Sequence, residues 1–257
     1  MKPRIVNAAR GARWLADGWR LFRAAPLGWL AAVFGYWLLM TVVSLVPFIG
    51  IGAASVLVPA FSVGFMAIAR AAERSGSVEL ALLFDGFRHA PRSQLALGLA
   101  YFACLATVLG ASTLADDGAL ARWMLSGQRP DEDVLHSDAF FGALVWAMTL
   151  YAPVMLAFWF APPLVAWHSA GMAKSLFFSF FACLMNWKAF LAYGAVTLMV
   201  TLVIPFVALT AVAFATGGAI KLSAPLVFPL LIILLPTLFA SFYASYRDIF
   251  GSPERQP

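Results

Sequence analysis

Five stretches of this chain hold no Asp, Glu, Lys or Arg: residues 24–69, 93–115, 139–173, 189–220 and 222–246. Runs of that length decide the fold class, because a helix crossing the hydrocarbon core needs about 20 predominantly apolar residues at a rise of about 1.5 Å each. The first run is long enough for two crossings, with Pro47 and the triplet Gly50-Ile51-Gly52 marking a tight turn between them. The others supply one each, so spans are predicted at about 27–46, 49–69, 95–114, 140–166, 189–214 and 222–246. Charged residues make up 11% of the chain against about 25% in a water-soluble domain, so it lacks the surface charge to be soluble. The expected fold is all-α: a polytopic membrane protein with six transmembrane helices in a single integral membrane domain, 1–257.

The first 26 residues carry six basic side chains, and the apolar run behind them is too long for a cleavable signal. Cys104 falls inside the third predicted span and Cys183 just before the fifth, with neither disulfide nor zinc spacing, so both read as small apolar core residues. With six spans, the termini and the even-numbered loops share one side. Fourteen of the seventeen basic residues lie there, and only Arg122, Arg129 and Lys221 lie opposite. Acidic residues divide six and six, which leaves +8 on the first side and −3 on the other. Positive charge stays cytoplasmic, so both termini are expected inside. Orientation accounts for the basic balance without a nucleic-acid partner. The partners expected are the phospholipid bilayer and either another membrane protein or a second copy of the chain.

An internal echo organises the spans. Pro59, Gly64, Phe65, Ala67 and Arg70 recur at the same offsets as Pro236, Ser241, Phe242, Ala244 and Arg247. A degenerate copy at Pro153 keeps an aromatic, Trp159, at +6 and Ala161 at +8 but has Leu164 for the arginine. Each outward span also follows an amphipathic segment. Before the first, Ile5, Ala8, Ala12, Leu15, Trp19 and Phe22 form one helical stripe, with Arg10, Arg13, Asp17 and Arg20 between them. Basic residues beside Trp and Phe suit the headgroup level. Before the third span, Leu80, Leu83 and Phe87 repeat the idea, and 172–187 does so in more apolar form. Asp17-Gly18-Trp19-Arg20 matches Asp85-Gly86-Phe87-Arg88, and Pro26 and Pro91 each stand just before a span. Asn186 is the expected cap of the fifth span. The reading is three repeats of an interfacial amphipathic helix plus a transmembrane hairpin, at about 5–70, 78–168 and 171–247. An outer loop at 115–138 is inserted in the middle unit, and a short cytoplasmic tail, 248–257, follows the last.

Three stretches carry a family resemblance: Gly18-Trp19-Arg20-Leu21-Phe22 with Pro26; Phe160 to His168 leading to Ser179-Phe180 and Asn186-Trp187; and Ala240 to Phe250. In them the chain resembles a family of uncharacterised six-helix inner-membrane proteins of proteobacteria. The resemblance implies an integral inner-membrane protein and no particular chemistry.

No predicted span centre holds an ionisable residue, which disfavours proton or sodium coupling through a buried carboxylate. Pro59, Pro153, Pro205, Pro229 and Pro236 are candidate helix kinks, either ordinary or marking a binding niche. Arg70 and Arg247 occupy equivalent cytoplasmic ends of spans, where they either snorkel, hold a lipid phosphate, or pair with Asp248. His168 reads as an interfacial anchor. The three histidines form no metal constellation, the acidic outer loop has no calcium-loop spacing, and no cofactor or catalytic motif is expected. A non-catalytic scaffold, assembly or envelope-maintenance component is the leading expectation, with Gly50, Ala54, Gly64 and Ala67 in dry helix contacts. The alternative is a passive or lipid/small-molecule transporter. It would use a pathway between repeats lined by Thr41, Ser44, Ser62, Thr149, Tyr151, Thr197 and Thr201.

Overall fold

Helix boundaries in the computed structural model, which describes residues 3–47, 49–215 and 224–251, follow local chemistry. Every regular element among the described residues is helical. Helix α1 (Ala8–Ala24) starts where the Asn7 side chain accepts the Arg10 amide at 2.9 Å, satisfying a donor that the first turn leaves unpaired. Helix α2 (Pro26–Ser44) follows at once, with Pro26 in a first-turn position that needs no amide. The chain returns into α3 (Gly50–Ser75), where a β-carbon on Gly50 would stand 2.5 Å from the Ser44 carbonyl oxygen. A 3-10 segment, Leu80–Phe84, leads into the single turn α4 (Asp85–Arg88) and then α5 (Pro91–Asp116). Within the long loop lie α6 (Ala119–Ser126) and α7 (Glu132–Leu135), followed by α8 (Asp138–Phe158) and α9 (Ala161–His168). Helices α10 (Met172–Met185) and α11 (Trp187–Leu198) continue through one wide π turn, Met199–Val203, into α12 (Ile204–Ala215). Helix α13 (Ala224–Phe250) closes the chain.

Five of these helical stretches are long and apolar enough to cross a membrane: Pro26–Ser44, Gly50–Ser75, Pro91–Asp116, Asp138–His168 and Trp187–Val212. The sixth expected span, 222–246, falls on α13; residues 222–223 and the side chains of 224–231, Pro229 included, lie outside the described ones.

Two spans are interrupted, each by a missing proline amide. Pro162 and Pro163 cannot donate to the carbonyls four residues earlier, and the helix breaks between α8 and α9. There the Ser179 hydroxyl enters the ladder itself: it donates to the Leu156 carbonyl at 2.8 Å and accepts the Phe160 amide at 2.9 Å. The π turn ends two residues before Pro205, whose absent amide leaves the carbonyl of Thr201 without its helical donor. Pro59 and Pro153 sit inside the unbroken helices α3 and α8, and Pro236 inside α13.

Contacts divide the chain into two compact units, Met1–Trp37 with Ser62–Asp85 and Ala182–Pro257, and Leu38–Phe61 with Gly86–Phe181. In the first, α1 lies on α11 and α13. A β-carbon on Gly11 would stand 2.0 Å from the Ala189 carbonyl oxygen, and one on Gly18 2.3 Å from that of Thr237. Trp14 meets Phe190 and Tyr193 edge-on at 5.2 and 5.8 Å, while Phe65 stacks on Phe239 at 4.0 Å. In the second unit α5 packs along α8. Gly86 and Gly98 press on the carbonyl oxygens of Ala60 and Val56, at 2.2 and 2.0 Å from where their β-carbons would be. Helix α6 caps this unit through Ala119 and Leu120 against Phe140 and Ala143.

Three sequence expectations need amendment. The buried face of α1 is Gly11, Trp14, Leu15, Gly18, Leu21 and Phe22, whereas Ile5 and Trp19 of the expected stripe are 69% and 40% exposed. Packing here follows the close backbone approach at the two glycines, which hydropathy periodicity does not register. The expected segment before the third span is helical in the α form for only four residues. Asn186 does not cap α11 with its side chain; its Oδ1 accepts the Val6 amide at 2.8 Å and its Nδ2 donates to the Arg4 carbonyl at 3.1 Å.

Candidate functional site

A neutral cluster of six charged side chains sits in the first unit where α1, α3 and α13 meet. Seven residues separate Arg10 and Asp17 on α1, two helical turns, so both point the same way. The Arg10 guanidinium donates Nε to Asp248 Oδ2 at 2.5 Å and Nη2 to Asp248 Oδ1 at 3.1 Å, with a further 2.7 Å bond from Nη2 to Asp17. This forked, charge-assisted geometry is the strong form of the interaction. Trp14, fully buried, adds its Nε1–H to Asp248 at 2.8 Å. Asp17 also accepts from Arg20 at 3.0 Å and from Arg247 at 3.3 Å. Arg247 donates to Glu73 on α3, and Glu73 accepts the Tyr243 hydroxyl at 2.8 Å. Three arginines (10, 20, 247) thus face three carboxylates (17, 73, 248). The hydrogen bond that Arg10 donates to Asp248 raises the pKa of Arg10 above its ordinary value, against the opposing effect of desolvation, so Arg10 is held charged.

Of the residues singled out from sequence, Arg247 and Asp248 lie in this cluster, with Arg247 Nε 3.7 Å from Asp248 Oδ1. Arg70 lies one turn before Glu73 on α3, and its charge reaches Tyr243 and Tyr246. His168 ends α9 in the second unit and is half-buried. Glu73, Trp14 and Tyr243 were not legible as site residues. The available signal was the opposite pair Arg10 and Asp17 on one helical face, which needs partners because a charge turned toward the protein is costly unless paired.

The cluster's hydrogen-bond donors point at carboxylates, and its carboxylates at donors. Chemically it fastens the first helix of the chain to the last and to α3. The second unit has a quieter polar feature: Gln94, 2% exposed, donates to the Pro162 carbonyl at 2.8 Å, beside the α8–α9 break.

The chain is 39% identical over 255 residues to a protein of Burkholderia thailandensis named "probable inner membrane protein", covering 97% of this chain and 94% of that one. It belongs to that family of inner-membrane proteins. No sequence-family profile and no solved structure matches it. Family membership and five membrane-length apolar helices agree on an integral protein of the inner membrane.

Proposed function

We propose that this protein is a non-catalytic inner-membrane scaffold, of the kind that assembles or maintains the envelope, with both termini cytoplasmic and three repeated units. The observation that carries the reading is where the polar side chains of the spans go. Ser44 bonds to the Met40 carbonyl at 2.7 Å, Thr149 to that of Val145 at 2.8 Å and Thr201 to that of Thr197 at 2.7 Å. Tyr151 meets the hydroxyl of Tyr101 at 3.1 Å. Hydroxyls of a conducting pathway face water or cargo; the first three serve their own helices, and the tyrosine pair joins α8 to α5. Small residues, by contrast, sit at backbone contacts, as in membrane proteins whose helices are held by close packing.

Two contacts support the repeat. Gly18 and Gly86 come from the matching words, and they press on the carbonyls of Thr237 and Ala60, each one residue after the matching prolines Pro236 and Pro59. Ser179 of the last unit enters the corresponding region of α8, in the middle unit, with its hydroxyl. The excess of basic residues on one predicted side supports the orientation.

The test is cysteine accessibility. In a chain lacking Cys104 and Cys183, Ser62→Cys and Thr197→Cys should resist a membrane-impermeant thiol reagent from either side. Labelling of either position in the folded protein would overturn the scaffold reading in favour of a pathway.

A further inference from the structure

The cluster at the inner end of α1 turns Asp17, the one acidic residue of that helix, inward onto Arg10 and Arg247. What α1 leaves outside is therefore one-sided in charge. Arg13, Arg20 and Arg23 are exposed, flanked by exposed Ala16 and by Trp19 at 40% exposure. Arg20 shares Asp17, while Arg13 and Arg23 have no carboxylate partner among the described residues. Ten residues apart, they span about 15 Å of helix. The helix is packed on α11 and α13 through two glycine contacts, which hold this face in place.

We propose that the outward face of α1 is a binding surface for anionic phospholipid headgroups. The chemistry is specific to that occupant. Guanidinium groups pair with phosphate in a forked geometry, the indole of Trp19 sits at the headgroup level, and Ala16 leaves room for acyl chains at the helix surface. A soluble acidic protein would have no use for the Trp19 and Ala16 flank. Of the two arginines expected at a lipid phosphate, Arg247 at the end of α13 is already taken up by Glu73, Asp17 and Asp248. The proposal does not depend on whether the interior conducts.

The test uses the full chain in neutral detergent, titrated separately with short-chain phosphatidylglycerol, phosphatidylcholine and inorganic phosphate, with bound lipid counted by native mass spectrometry. The wild type should retain phosphatidylglycerol over phosphatidylcholine. Arg13→Gln with Arg23→Gln, which leaves the cluster intact, should weaken phosphatidylglycerol roughly 30-fold and leave phosphatidylcholine unchanged. An unchanged melting temperature would show that the variant is folded. Equal retention of phosphatidylglycerol by wild type and variant would overturn the proposal. So would a wild type without preference between the lipids, or displacement of the lipid by millimolar phosphate, which would make this a site for the free anion. Cysteine labelling at Ser62 or Thr197 would leave these outcomes untouched, so the two proposals fail separately.

Discussion

Replacing Asp248 by alanine removes the acceptor on which α1 is fastened. The carboxylate is 13% exposed and takes two bonds from Arg10, at 2.5 and 3.1 Å, and one from Trp14 at 2.8 Å. Without it the Trp14 N–H is left with no acceptor at zero exposure, a loss of about 1–3 kcal/mol. Breaking a fully buried ion pair costs about 3–5 kcal/mol, but Arg10 is 31% exposed and keeps Asp17 at 2.7 Å, so the charge contribution falls well below that range. Together these give about 3 kcal/mol, or roughly a 150-fold rise in the open population of α1. Amide hydrogen exchange on the protein in detergent measures it directly, since α1 exchanges through local opening. Trp14→Phe, which removes the indole donor and also shrinks a fully buried ring, should raise exchange in α1 at least about 5–10-fold. Arg10→Ala combined with Asp248→Ala should cost about 1–2 kcal/mol less than the two single changes summed, because each single change strands the other partner. Unchanged exchange in the Asp248→Ala α1, or strict additivity in the double variant, would refute the account of the cluster as a fastening.

The glycine contacts make a contrasting set. Gly18→Ala and Gly86→Ala each place a carbon 2.2–2.3 Å from a backbone oxygen, so the helices must part; a cost of about 1–3 kcal/mol lowers the melting temperature by roughly 2–12 °C. Gly35→Ala, with nothing within 4 Å, should leave it unchanged or raise it slightly through helix propensity, and a matching fall at Gly35 would sink the packing argument. Ser179→Ala deletes the hydroxyl that joins the Phe160 amide to the Leu156 carbonyl, for a loss of about 1–3 kcal/mol. Ser179→Thr, which keeps the hydroxyl, should recover most of the thermal stability, and failure to do so would assign the loss to packing alone.

How much of this was legible depends on which physical signal a residue leaves in sequence. Five of the six expected spans were legible because uncharged length is nearly sufficient to specify a membrane helix: α2 begins one residue before its predicted start, and α5 runs four before and two beyond its prediction. The α8–α9 break was half legible. Pro153 was the expected kink, yet the helix passes through it and breaks where two adjacent prolines remove two successive amides. Helix α10 shows a limit of pattern reading in lipid. Ser175, Ser179, Ala182 and Cys183 are buried while Phe177 and Phe181 face outward, the reverse of an aqueous amphipathic helix. Its phenylalanines made it read as deeply apolar, but where both sides are apolar, small residues mark the protein face. The cluster was legible only as Arg247 and Asp248. Glu73 and Tyr243 lie 170 residues apart in sequence, and no local pattern announces a pairing of that range.

If the chain is the three-part repeat proposed above, the divergence of its middle unit acquires a physical reason. On the proposed repeat, the arginine that ends an inward helix faces the acid of the following interfacial segment, as Arg247 faces Asp17 at 3.3 Å. Arg70 and Asp85 hold the corresponding positions one repeat on. In the middle repeat the arginine position is Leu164, fully buried in α9, and α10 holds no acidic residue at all. An arginine kept there without its carboxylate would be a buried unpaired charge, and an aspartate kept without its arginine would be the same, so the two positions can change only together. What replaces the ion pair is a hydroxyl, Ser179, inserted into the broken ladder of the inward helix. A neutral junction of that kind is weaker than a charged one but carries no penalty for sitting deeper in the bilayer. On the proposed repeat, that freedom would account for α10, the most apolar of the three proposed interfacial segments, being the one without a charged fastening.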